Sequence, residues 1–182
     1  MVELQELERQ GHIELFYGDE SGFCVNSVVP YGWQFKDKQV CLRAIRSKRL
    51  NVLGLMGGSN ELHTECKEGT IDTAFVIYTI SRFIEQKKQL ADGKMRVIVL
   101  DNARIHHSAM FKSQMDVWEL SNVFIFFLPA YSPHLNKIET LWRKIKYEWI
   151  KAEDYASYDK LKASVLSIID QFGVNYNINF KT

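Results

Sequence analysis

The chain has 182 residues, 23 Lys and Arg against 22 Asp and Glu, a formal charge of +1, and 46% hydrophobic and 13% aromatic residues. This excludes a disordered chain and any partner recognised through net charge alone; it describes one folded domain, residues 1–182, with room for a core. Cys24, Cys41 and Cys66 are widely spaced and form no CxxC pair, which fits reduced thiols in a cytoplasmic protein better than a disulfide frame or zinc knuckle.

The charged N-terminus lacks the apolar core of a signal peptide, and the apolar run Val123 to Leu128 is too short to span a bilayer, so no membrane association is expected. Residues 2–10 read as a short polar helix. His12 to Asp19 reads as a strand with Ile13, Leu15, Tyr17 and Asp19 on one face, and Glu20 pointing the other way. Ser21-Gly22 reads as the turn that ends it. A loop with Trp33 leads into a basic stretch: Lys36, Lys38, Arg43, Arg46, Lys48 and Arg49, opposed by Asp37. Charge runs are usually solvated faces, and this one is also the main candidate for phosphate contact.

Asn51 to Met56 and Glu61 to Cys66 read as a hairpin about Gly57-Gly58-Ser59-Asn60. Thr70 to Gln89 has helical spacing, with Thr70 or Asp72 as cap and Ile71, Phe75, Tyr78, Ile80, Phe83 and Ile84 as the buried side. Met95 to Leu100 is an apolar, β-branched run of the kind covered on both faces, and it ends in Asp101. A helix over Ser108 to Leu120 and a buried strand over Val123 to Leu128 follow. Ser132-Pro133 predicts a helix start, with Ile138, Leu141, Trp142, Ile145 and Trp149 as its apolar stripe. A last helix spans about Ser157 to Phe172, and the Asn-rich tail from Asn175 reads as loose. Early antiparallel strands followed by strand–helix alternation predict an α/β fold, a mixed five-stranded sheet flanked by helices.

Three carboxylates stand out by position. Asp19 and Asp101 close apolar strand runs, where open α/β sheets place their sites, and Glu139 lies on the first turn of a helix. Three acids from three elements suit a pair of Mg²⁺ or Mn²⁺ ions, which take oxygen ligands and support phosphodiester chemistry. Spacing alone is weak in a chain with 22 acids. Glu139 shares a helix edge with Arg143 and Lys146, and that edge by itself reads as an exposed pair worth about 0.2–0.5 kcal/mol. The run Asp101-Asn102-Ala103-Arg104-Ile105-His106 is more specific. Asn102, Arg104 and His106 have little packing reason to follow a buried strand and would orient a ligand or meet phosphate; the alternative is a strand-end turn. His106, His107 and His134 form no HxxxH or Cys/His pairing that would mark zinc.

Together GDESGF, LDNARIHHS and LPAYSPHLNKIETLW resemble the catalytic domain of DDE transposases of the mariner superfamily, in its bacterial insertion-sequence branch, over about residues 10 to 150. Asp19, Asp101 and Glu139 match the three metal-binding acids. Asn102 and His106 match the DNxxxH motif, and Ser132, Pro133 and Asn136 match the loop before the glutamate. Lys137 stands where that family commonly has proline, which predicts a slightly different helix start. The resemblance implies a ribonuclease H-like fold, two Mg²⁺ ions, and DNA strand cleavage followed by strand transfer by a chain that self-associates on paired element ends. Members usually carry helix-turn-helix units before this domain; here they are absent from the sequence. The chain reads as a fragment, as a split reading frame whose separate partner chain supplies DNA recognition, or as a decayed element, and each of these predicts weak, sequence-indifferent DNA binding by this chain alone. A structure-specific nuclease of the same fold and an inactive DNA-binding or oligomerisation remnant are the rival readings.

Overall fold

The computed structural model describes residues 1–25, 48–88, 93–130 and 132–180. Among these, β1 (Ile13–Cys24), β2 (Arg49–Gly57), β3 (Leu62–Glu68), β4 (Met95–Leu100) and β5 (Val123–Phe127) form one mixed sheet in the order β3-β2-β1-β4-β5. The pairs β1–β2 and β2–β3 are antiparallel; β1–β4 and β4–β5 are parallel. Five helices flank it: α1 (Val2–Arg9), α2 (Thr73–Lys88), α3 (Ala109–Glu119), α4 (Ile138–Lys144) and α5 (Tyr158–Asp170). The expected fold class is borne out. No described helix is long and apolar enough to cross a membrane.

Strand alternation divides the core into two layers. Leu15, Tyr17, Val52, Val97 and Val99 face α4 and α5, while Phe16, Leu55, Ile98 and Leu100 face α2 and α3. β4 is apolar from Val97 to Leu100 because it lies between two parallel neighbours and is covered on both sides, and the buried Arg96 at its start pairs with Glu14 at 2.8 Å.

Several boundaries differ from the sequence reading. β1 runs on through Ser21 and Gly22, which pair with Val52 and Asn51 of β2; tertiary pairing overrides the local turn signal. Of the two candidate caps of α2, Asp72 serves, its Oδ1 accepting from Phe75 N–H at 2.9 Å. Val76, Ile80, Phe83 and Ile84 are buried on α2, whereas Tyr78 is 49% exposed and stacks on Phe75 instead. Ser132 accepts through its carbonyl from Leu135 N–H, so Pro133–Leu135 is a separate 3₁₀ turn and α4 starts at Ile138. Beyond Lys144 the chain widens into π-helical turns over Ile145–Trp149.

The tail is not loose. Asn60 in the β2–β3 turn both donates to Ile178 O (3.2 Å) and accepts from Ile178 N–H (2.8 Å). Ile178 is buried, and Tyr176 packs 4.9 Å from Trp149. Gly173, at φ +86°, permits this approach: a Cβ there would stand 2.8 Å from Asn60 O.

Candidate active site

The register of the central strands brings the acids together. Tyr17 pairs with Val99, the last pair of the parallel β1–β4 ladder. Extending that register by two residues sets Asp101 level with Asp19, on the same face by the period of two. Asp19 therefore lies within β1, not at its end, but just past the point where β4 stops covering it. On its other side Asp19 is opposite Gly54 of β2. A Cβ at Gly54 would stand 2.9 Å from Trp142 Cη2 and 3.0 Å from Ile138 Cδ1, so this glycine lets α4 lie close over the sheet. Glu139, on the first turn of α4, is thereby carried to the same place.

All three acids line one cleft of about 400 Å³, walled by Asn102 and Ala103 after β4, Leu128 to Ala130 after β5, and Ser132 and Asn136 before α4. They share the cleft without closing into a tight knot: among the described residues no group of three or more His, Cys, Asp or Glu forms a ready-made cation cage. Their fields do overlap. Burial, reinforced by the negative charges of Glu139, Asp101 and Glu20, raises the Asp19 carboxyl to about 7; a hydrogen bond from the Glu20 main chain opposes the rise.

Asp101 goes the other way. His106, buried against Phe111, places Nδ1 3.1 Å from both Asp101 Oδ1 and Asp101 O. With the carbonyl as acceptor, Nδ1 carries the proton, and its bond to Oδ1 is the main force holding the Asp101 carboxyl below its usual range. Ala103 N–H adds a bond to Oδ1 at 3.2 Å. Asn102, on the cleft wall, is tied to His107, whose Nε2 meets Asn102 Oδ1. Thr73 Oγ1 donates to Ile105 O at 3.1 Å, tying the 3₁₀ turn Arg104–His107 to α2.

Among the cations expected at phosphate, Lys146 belongs to the site's field. Burial and Arg49 push its ammonium down, while Asp19 and Glu139 pull it up. Its Nζ lies 5.4 Å over Phe23. Arg49 opens β2, with its guanidinium across Gly22 of β1. Lys48 lies 5.8 Å over the Tyr158 ring. Arg104 and Arg143 are exposed and line no part of the cleft. Lys36, Lys38, Arg43 and Arg46, together with Trp33, lie outside the described residues.

Glu20 is the neighbour that sequence reasoning passed over. It points away from Asp19 as alternation requires, yet it shares a field with Asp101, His106 and Arg49, and burial raises its carboxyl. The signal was the extension of β1 beyond Gly22, which a local turn pattern concealed.

Residues 14–162 match the family of DDE superfamily endonucleases. The uncharacterized protein y4pE/y4sA of Sinorhizobium fredii (strain NBRC 101917 / NGR234) is 28% identical over 74 residues, 41% of this chain and 50% of that protein. Among solved structures, the Mos1 transposase paired-end complex with left transposon end superposes with a TM-score of 0.68 at 15% identity, covering 93% of this chain and 52% of that one. The Mos1 mariner paired end complex with Mn gives a TM-score of 0.64 at 16% identity, with the same 93% and 52%. This chain thus spans about half the length of these relatives, and the fold they share with it is the ribonuclease H-like one.

Proposed function

Because this chain belongs to the DDE superfamily endonuclease family, we propose that it is the catalytic domain of a DNA transposase, cutting and rejoining phosphodiesters with two Mg²⁺ or Mn²⁺ ions. The observation that carries the metal reading is that Asp19, Asp101 and Glu139 line one open cleft, where burial and then the charges of Glu139 and Asp101 raise the Asp19 carboxyl to about 7. Unbalanced negative charge on oxygen donors is what a hard divalent cation relieves. Asp19, Asp101 and Glu139 would hold the ions. Two such ions would activate the attacking oxygen and stabilise the leaving one in phosphodiester cleavage.

The chain's own residues prepare that chemistry. His106 keeps Asp101 ionised and oriented, as a carboxylate ligand needs. Asn136 donates to Gly18 O at 3.0 Å and fixes the loop before Glu139. Lys146 and Arg49 stand where a DNA phosphate entering beside the acids would be met by positive charge. The Mos1 relatives are paired-end complexes, one of them with Mn, which supports DNA ends as substrate and self-association on them.

The test is a cleavage and strand-transfer assay with labelled oligonucleotide ends and target plasmid in Mg²⁺ or Mn²⁺. Nicked and joined products are expected from the wild type, and neither from Asp19→Asn, Asp101→Asn or Glu139→Gln. Hydrolysis with no joined product would identify a nuclease on the same architecture. Equal products from wild type and all three variants would refute the assignment of the acids.

A further inference from the structure

We propose that Asn136 and Lys137 form a brace, closed from outside by Phe180 of the C-terminal tail, that sets Glu139 in position against Asp19; this rests on the reading of those acids as the reacting centre. Asn136 and Lys137 precede Glu139 by three and two residues. They are anchored to Gly18 and Tyr17, which precede Asp19 by one and two. Asn136 is 4% exposed and donates from Nδ2 to Gly18 O. Its own carbonyl accepts from Glu139 N–H at 3.1 Å. One residue is thus bonded by its side chain to the strand that carries Asp19 and by its main chain to Glu139.

Lys137 supplies the second anchor. Its Nζ lies 5.3 Å from the centre of the Tyr17 ring and 5.4 Å from that of Phe180. Lys137 occupies the N-cap of α4, with no side-chain capping bond. A cation there faces the positive end of the helix dipole, and lysine is not a capping side chain. Attraction between the ammonium and two ring faces offsets that misplacement. Tyr17 is fully buried, so the inner ring is fixed. The outer ring is fixed by the tail, since Ile178, two residues earlier, is clasped at both main-chain polar groups by Asn60.

Among the described residues, none of the tail lines the cleft. It acts on the reacting groups through Lys137, so Asn136, Lys137 and Phe180 are positioning residues. The cationic head and aromatic rings matter to this role, not bulk alone. Lys137→Arg and Phe180→Tyr should preserve it, and Lys137→Met and Phe180→Leu should not.

The experiment is hydrogen exchange of the full metal-free chain, paired with calorimetric Mn²⁺ titration, and Val76→Ala in the opposite core layer serves as a control for general destabilisation. In Lys137→Met and Phe180→Leu the amides of Ile138 to Leu141 should exchange several-fold faster and Mn²⁺ affinity should fall several-fold. Lys137→Arg and Phe180→Tyr should restore both, and Val76→Ala should move neither selectively. Wild-type protection of those amides in Lys137→Met and Phe180→Leu, or equal opening in Val76→Ala, would overturn the brace. Faster exchange with wild-type Mn²⁺ affinity would overturn its positioning role. A wild type that binds no Mn²⁺ while the exchange pattern holds would count against the metal reading alone, because the brace is read on metal-free protein.

Discussion

Asp19 carries opposite demands at the residue scale. Its carboxyl rises from 3.8 to about 7 through burial and three neighbouring acids. The folded chain then keeps a proton that the unfolded chain releases, so folding is favoured below about pH 4 and that advantage is lost as pH climbs through about 7. Asp19→Asn should therefore melt above the wild type by a margin that widens from pH 4 to 7 and is flat beyond; thermal melts across that range check it, and a margin independent of pH would contradict it. If Asp19 holds a cation as proposed, binding must displace the same proton. Mn²⁺ should accordingly raise the wild-type melting temperature more at pH 8 than at pH 5. Asp101 has the complementary dependence, since it is held ionised mainly by His106. Removing a residue that orients a metal ligand typically costs about 10–100-fold in metal affinity. His106→Ala should weaken Mn²⁺ binding within that range, measured by calorimetry, with the fold retained by circular dichroism.

At the scale of elements, the site is a consequence of strand register and one helix approach. The two aspartates were legible because Asp19 continues an apolar row of period two and Asp101 ends a continuous apolar run, and the β4 run reads the same in sequence and structure. The glutamate was legible because its helix bears Ile138, Leu141 and Trp142 at helical spacing, all buried. Gly54 was not legible. Its role depends on pairing with Asp19 across β2 and on the rings above it, neither visible in LNVLGLMG. Gly54→Ala should force α4 away from the sheet and cost about 1–3 kcal/mol, the usual range for overpacking. Urea denaturation measures this, and an unchanged midpoint would show that α4 yields freely. The Ser21-Gly22 turn and the loose tail failed for one reason. Local composition favoured irregular backbone, but long-range partners, β2 in one case and Asn60 in the other, supplied the missing hydrogen bonds.

At the scale of the whole molecule, a net charge of +1 leaves DNA attraction to local groups. Among the described residues, the half-buried Lys146 and neighbouring Arg49 share the field of the acids. If each meets one phosphate, replacing Lys146 by Met should lower affinity alike for all DNA sequences and flatten the plot of log affinity against log salt by about 1. Fluorescence anisotropy at several salt concentrations tests this, and an unchanged slope would remove Lys146 from the interface. The most direct measurement of the central claim is anomalous scattering from crystals of the chain bound to a short DNA duplex and soaked in Mn²⁺. The account predicts Mn²⁺ between Asp19, Asp101 and Glu139; well-ordered DNA at the cleft with Mn²⁺ bound only elsewhere would contradict it.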